Sequence, residues 1–484
     1  MGGKPPYLPA EVISDILESC ASKTTLAVAA RCSRQWYDIA MPHLWHRIDV
    51  HNPVCEDSNE PYLKWLAALF LSKPAIAAHV RHFSVRPAFE DDPAWEEYGE
   101  FADIRKDRIA ARLKGIQEAV ASFGYSDEER APWLEEDFCG DTFLTMLLPT
   151  MPNLVSLDLM GPQYAECVER MLWCKRGSAF TNLKSVFWTY EPFHCMPDGA
   201  IIIPAIFVLP SIERIYLHKA RGGGSREYGE EVDERLAKVS PRTTTCTHLE
   251  LRDCRFYPGD VQTLILIPKA LRSFIYEIGR PQLYSRTFSF PMIRQGLEHH
   301  KNTLEELCLD YCHGGFEGPE SDMSDDSSPM TPLKTFTRLR RLKIAPLFIL
   351  GRDLPHKNEQ AADQSLCILN FLPGSIQQLQ LTHCQEPENL RILLDVLTNI
   401  LMNKTTHVPS LHRIVVEIES DLVEKLDFAM VLRLAKSVGT KIVLMNIKDH
   451  SGAYEVERKW GFGEDIEWRK CYENHRPLYR VMHA

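Results

Sequence analysis

Residues Leu304 to Cys312 read LEELCLDYC, with apolar side chains at the first, fourth and sixth places and a cysteine at the ninth. The fourth and sixth places lie two apart, so on an extended chain they share one face while their neighbours point the other way. The cysteine is small and apolar enough to be buried. Such a strand cannot bury its apolar face alone, and the chain supplies further copies. Cys246, Leu249, Leu251 and Cys254 repeat the line in full, as do Ile376, Leu379, Leu381 and Cys384. Copies without the last cysteine start at Leu154, Leu183, Ile212, Leu271, Leu339 and Leu411, and weaker ones at Val80 and Ile442, eleven in all.

The line resembles the core of the leucine-rich repeat. From Leu154 onward the first places are 25 to 37 residues apart, wider than the roughly 20 to 29 of regular arrays, so an irregular array is expected. The resemblance implies an α/β solenoid with a parallel sheet on its concave face and helices outside. An ordinary α/β sheet would also bring a strand every 30 residues or so, but it does not require the fixed gap of three before each strand.

A solenoid also suits a chain of 484 residues, longer than one compact core sustains. The net charge of −11 disfavours a duplex nucleic acid or an anionic membrane as partner. The longest apolar run, near Ile201 to Leu209, is too short to span a bilayer and contains Pro204. Met1-Gly2 opens like a myristoylation site, but Pro6 stands where Ser or Thr is needed. Fourteen cysteines form no C-x-x-C pair, so reduced packing thiols are expected in a cytoplasmic or nuclear protein.

The first fifty residues differ in character. Pro9 suits a first helical turn, and Val12, Ile13, Ile16 and Leu17 recur at helical spacing over Ala10 to Cys20. Ser22 or Thr24 can cap a second helix bearing Leu26, Val28 and Ala29. A third, from Ser33 with Trp36, Ile39 and Ala40, is expected to stop before Pro42. Leu8, Pro9, Glu11, Ile16, Leu17, Cys32, Trp36, Ala40, Leu44, Trp45 and Ile48 follow in the order of an F-box, which this stretch resembles. Glu18-Ser19-Cys20 and Thr24-Thr25 depart from that pattern. The resemblance implies docking onto a Skp-type adaptor, and through it a cullin, with Leu8, Pro9, Ile13, Ile16, Leu17, Trp36, Leu44 and Trp45 in or under the interface. The expected layout is an F-box over 1–50, a linker and capping helix over 51–78, a solenoid over 79–450 and a cap or tail over 451–484. Within the solenoid, 89–140 reads as an insertion and the acidic, Ser-rich 317–332 as disordered.

No G-x-S-x-G, H-E-x-x-H, P-loop or G-x-G-x-x-G pattern occurs, so neither catalysis nor a cofactor is expected. Arg221 to Ser225 holds three glycines without the Gly-Lys-Ser/Thr of a phosphate loop. His299, His300 and His313 lie near Cys308 and Cys312, yet the spacing fits no zinc pattern. Function is therefore sought on the residues between the leucines. Phe187, Tyr216 and Ile275 take the central outward place of nearby repeats, Glu250 lies among them, and Arg214, His218 and Arg252 flank them. Exposed aromatic and Arg clusters make binding hot spots, so these seven residues are the expected site for a target protein with an acidic or phosphorylated segment, the alternative being that a loop or the C-terminal tail covers them.

Overall fold

The computed structural model describes residues 9–19, 22–51, 60–86, 140–160, 166–175, 179–189, 203–220, 236, 238–254, 256–279, 290–311, 330–350, 368–382, 384, 387–418 and 428–446. All of the expected insertion over 89–140 but its last residue, the Gly-rich 222–224, most of the acidic loop and the stretch 451–484 lie outside them. The chain forms two compact units, Met1–Ile212 and Glu213–Ala484.

The first unit opens with three short helices, α1 (Ala10–Glu18), α2 (Lys23–Ala30) and α3 (Arg34–Trp45). Ser22 Oγ accepts the Thr25 N–H and Ser33 Oγ the Trp36 N–H, each side chain satisfying one of the orphan donors of a helix start. Ile13, Leu17, Leu26, Ala30 and Ala40 form their core, with Trp36, Ile39 and Leu44 packed against it. The third helix does not stop before Pro42 but runs three residues past it. Pro42 costs one backbone bond there, and burial of Ala40 and Met41 offsets it. Strand β1 (Arg47–His51) follows directly and pairs in parallel with β2 (His82–Arg86), so the N-terminal module itself donates a strand. Helix α4 (Glu60–Ser72) lies between them in sequence and buries Leu63, Leu66, Ala67 and Phe70. Strands β3 (Ser156–Met160) and β4 (Ser185–Thr189) extend the parallel order.

The second unit carries β5 (Arg214–His218), β6 (His248–Cys254), β7 (Ser273–Ile278), β8 (Glu306–Tyr311), β9 (Arg341–Ile344), β10 (Gln378–Leu381), β11 (Arg413–Ile418) and β12 (Lys441–Asn446). They pair in sequence order and all in parallel, each return running through outer segments that include helices such as Pro258–Leu266, Phe290–Glu298 and Pro387–Met402.

The repeat line explains this order. The first, fourth and sixth places are buried in every copy from Val80 to Leu411, as with Leu304, Leu307 and Leu309. One backbone carbonyl per junction then accepts two N–H groups from the next repeat. Arg272 O takes those of Glu305 and Glu306, Glu305 O those of Arg340 and Arg341, and Arg340 O those of Gln377 and Gln378. A small polar residue before the first place reaches back as well: Asn182 Nδ2 donates to Pro152 O, Thr303 Oγ1 to Leu271 O and Ser375 Oγ to Leu339 O. The last copy is shifted from the sequence expectation. Ile442 pairs with Ile414 and so takes the fourth place rather than the first, and Val443 rather than Asn446 is central. Gly439, at φ +67°, stands where the first-place leucine would be, in a conformation that branched or bulky residues avoid.

Candidate partner-binding surfaces

Helix α1 has two apolar stripes at i, i+4 spacing. Ile13 and Leu17 face the core, whereas Val12 and Ile16 are 41% and 43% exposed. Val28 on α2 and Tyr37 on α3 are also exposed, so half of the eight exposed large apolar side chains among the described residues lie on these three helices. Of the expected docking residues, Pro9 and Ile16 are at the surface and Leu8 lies outside the described residues. Ile13 and Leu17 lie in the core, under that surface rather than on it. Trp36 and Leu44 are partly buried and pack on that core from outside. Trp45 turns towards α4, its ring edge-on to Phe70 at 6.1 Å, and thus ties the helices to the first repeat strands. Sequence reading missed Val12, Val28 and Tyr37, because an apolar residue at helical spacing looks the same on either stripe.

The sheet face opposite the leucines was expected to be open. It is closed. Phe187 in the first unit is 2% exposed, and in the second Tyr216, His218, Glu250, Arg252 and Ile275 are all buried; of the seven expected target-binding residues only Arg214 remains half-buried. Phe187 belongs to the first unit and the other six to the second. The physical reason is pairing. In parallel register at ~4.8 Å, each outward side chain meets partners on both neighbouring strands. Arg252 holds both Glu250 and Glu277, the latter at 3.1 Å. Lys343 Nζ sits 2.7 Å from Asp310 and 3.8 Å from Glu417. Thr382 Oγ1 donates to Asp310, and Gln380 Nε2 to Glu417. A buried charge is costly unless paired, and this network supplies the pairs.

Two family models fall on these two regions: an F-box-like model matches residues 6–51, and a leucine-rich repeat domain matches residues 230–440. The chain is an F-box protein with C-terminal leucine-rich repeats. No curated protein matches it. The structure carries the repeat register further towards the N-terminus than the matched region, since Val80, Phe83 and Val85 already occupy the buried places.

Within the repeats, the row that stays accessible is the one at the N-terminal ends of the strands. Arg214, Arg341 and Arg413 are half-buried, Arg272, Arg340 and Lys441 exposed, against Glu213, Glu305 and the buried Glu306. Arg341 is bonded to Glu306 at 3.2 Å. The repeat cysteines behave as packing residues: Cys246, Cys254 and Cys384 are buried, and burial pushes the Cys246 thiol up to about 12. Cys312 lies outside the described residues. His300 is structural. Its Nε2 donates to Ile265 O at 2.8 Å and its Nδ1 accepts the Leu271 N–H at 3.2 Å, joining a helix end to the next strand. Among the described residues no group of three His, Cys, Asp or Glu could hold a metal ion.

Proposed function

We propose that this protein is the substrate-recognition subunit of a cullin-based ubiquitin ligase and catalyses nothing itself. The F-box takes a Skp-type adaptor, and the repeats hold a target for transfer of ubiquitin by other subunits. The reading is carried by the apolar surface of α1 to α3, where Val12, Ile16, Val28 and Tyr37 stand out on a module of three short helices. Exposed apolar clusters of this kind mark protein partners. Because the centre of the repeat face is closed, target capture falls on the cationic row from Arg214 to Lys441. Arginine binds carboxylate and phosphate bidentately, so the target presents an acidic or phosphorylated segment.

The test is affinity purification of the tagged full chain from cells. Adaptor and cullin are expected together, with both lost in Val12→Glu/Ile16→Glu. Target binding should fall in Arg272→Glu/Arg340→Glu while adaptor binding stays. Adaptor without cullin would replace the ligase reading by that of an F-box/repeat scaffold, and absence of both would overturn the F-box reading.

A further inference from the structure

Three Ser/Thr-Pro pairs occur in the chain: Ser240-Pro241, Ser328-Pro329 and Thr331-Pro332. Ser328 lies outside the described residues, and the other two differ in the backbone around them. A protein kinase draws its substrate into the cleft as an extended chain. Ser240 instead opens a closed turn. Thr243 Oγ1 donates to Ser240 O at 2.6 Å, the Arg242 N–H donates to Leu266 O, and Arg242 stands at φ +58°. Met330 to Leu333 form neither helix nor turn, and Pro332 biases Thr331 towards the extended region. Both Thr331 and Pro332 are exposed. The hydroxyls of Thr243, Thr263 and Thr303 donate to backbone carbonyls and Thr335 Oγ1 accepts from Arg294, whereas Thr331 Oγ1 has no partner among the described residues.

We infer that Thr331 is a phosphorylation site for a proline-directed protein kinase, with Arg294 as its guard. In the transfer, Thr331 Oγ1 attacks the γ-phosphorus of a nucleoside triphosphate held by the kinase. The bond to the β–γ bridging oxygen breaks, nucleoside diphosphate leaves, and the hydroxyl proton passes to a carboxylate of the kinase. Proline at the next place has no N–H to strand in the kinase cleft. An exposed hydroxyl does not suffice by itself, because its flanks are anchored. Met330, Leu333 and Phe336 are buried, and the N–H groups of Met330 and Leu333 donate to Phe348 O and Phe371 O, both at 2.9 Å. Arg294, itself buried, closes the clasp from the helix Phe290–Glu298. Its Nε and Nη2 donate to Pro332 O at 3.3 and 3.0 Å, and its guanidinium lies 4.7 Å from the centre of the Phe336 ring. Phosphorylation therefore runs through a local opening of 330–336, and the Arg294 bonds set much of its cost. The phosphate adds about two negative charges to the return between β8 and β9.

The full folded chain is incubated with a proline-directed kinase and ATP, and initial rates at each site are followed by phosphopeptide mapping. Thr331 should be modified at least about tenfold faster than Ser240, since only the latter must first unwind a turn. Thr331→Val should remove the Thr331 signal and leave that of Ser240. Arg294→Ala should speed modification of Thr331 by about fivefold or more, with Ser240 unchanged. Should Arg294→Ala unfold the chain, seen as loss of the thermal transition, the comparison of Thr331 with Ser240 in the unsubstituted chain decides. Thr331 left unmodified in the folded chain, or modified no faster than Ser240, overturns the site. Equal Thr331 rates in the unsubstituted chain and a folded Arg294→Ala overturn the guard. The readout needs neither adaptor nor target, so its outcome stands apart from that of the ligase reading.

Discussion

Replacing His300 by leucine isolates one inter-repeat joint. The helix Pro258–Leu266 ends with carbonyls that have no partner within the helix, and His300 Nε2–H takes that of Ile265, while Nδ1 receives the Leu271 N–H at the start of the next repeat. His300→Leu keeps most of the bulk but strands both backbone groups, at about 1–3 kcal/mol each, so a loss of about 3 kcal/mol is expected. For a unit of this size that corresponds to a fall of roughly 6–12 °C in Tm. The pH dependence gives a second readout. Burial holds the His300 pKa below its ordinary value, with the positive charges of His299 and Arg242 acting the same way. The unfolded chain therefore takes up a proton near pH 6.5 that the folded one refuses, and the folded state loses stability as pH falls below 6.5, by up to ~1.4 kcal/mol per unit. His300→Leu lacks this contribution, so its penalty should shrink from pH 7.5 to pH 5.5. Thermal melts followed by circular dichroism at both pH values test it. A shift under about 2 °C at pH 7.5, or a penalty that grows on acidification, would refute the assignment.

Three further outcomes follow from burial. Ile16→Glu should leave the fold intact yet weaken adaptor binding by about thirtyfold, equivalent to ~2 kcal/mol, whereas Ile13→Glu, which puts a charge among Leu17, Leu26, Ala30 and Ala40 in the helix core, should unfold the F-box; equal adaptor capture by wild type and Ile16→Glu would remove α1 from the interface. In the native chain, Cys32 and Cys174 should react with a thiol reagent ahead of Cys246, Cys254 and Cys384, and fast loss of any of the last three would contradict the repeat register. Leu249→Ala should cost about 2–5 kcal/mol in denaturant titration, because the site is fully buried; a loss below about 1 kcal/mol would place Leu249 outside the core.

The repeats were legible because their signal is local: three apolar places within six residues fix a strand, its inward side and its turn. The shift at Ile442 escaped notice since Gly439 takes the first place there, and a glycine carries no apolar signature. Asn182, Thr303 and Ser375 were present in the sequence as a polar residue before each first-place apolar one, but their meaning depends on a carbonyl a whole repeat earlier. The misplaced target site has the same cause. Thr382 meets Asp310 across 72 positions, and no local pattern announces that an Arg or Tyr between leucines will be enclosed rather than offered to a partner. On α1, two equivalent stripes left the choice of core face to α2 and α3.

The paired N–H groups on a single carbonyl at each junction separate alignment from length. Strand starts are 25 residues apart between His248 and Ser273 but 74 apart between His82 and Ser156, and the register holds in both cases. The outer returns are thus free to vary, much as the spacing between rungs is set by the rail and not by what hangs from it. A reporter peptide or an entire folded domain spliced between residues 320 and 326 should leave β8 and β9 aligned, while one residue added between Leu307 and Leu309 would turn every later side chain of that strand to the wrong face.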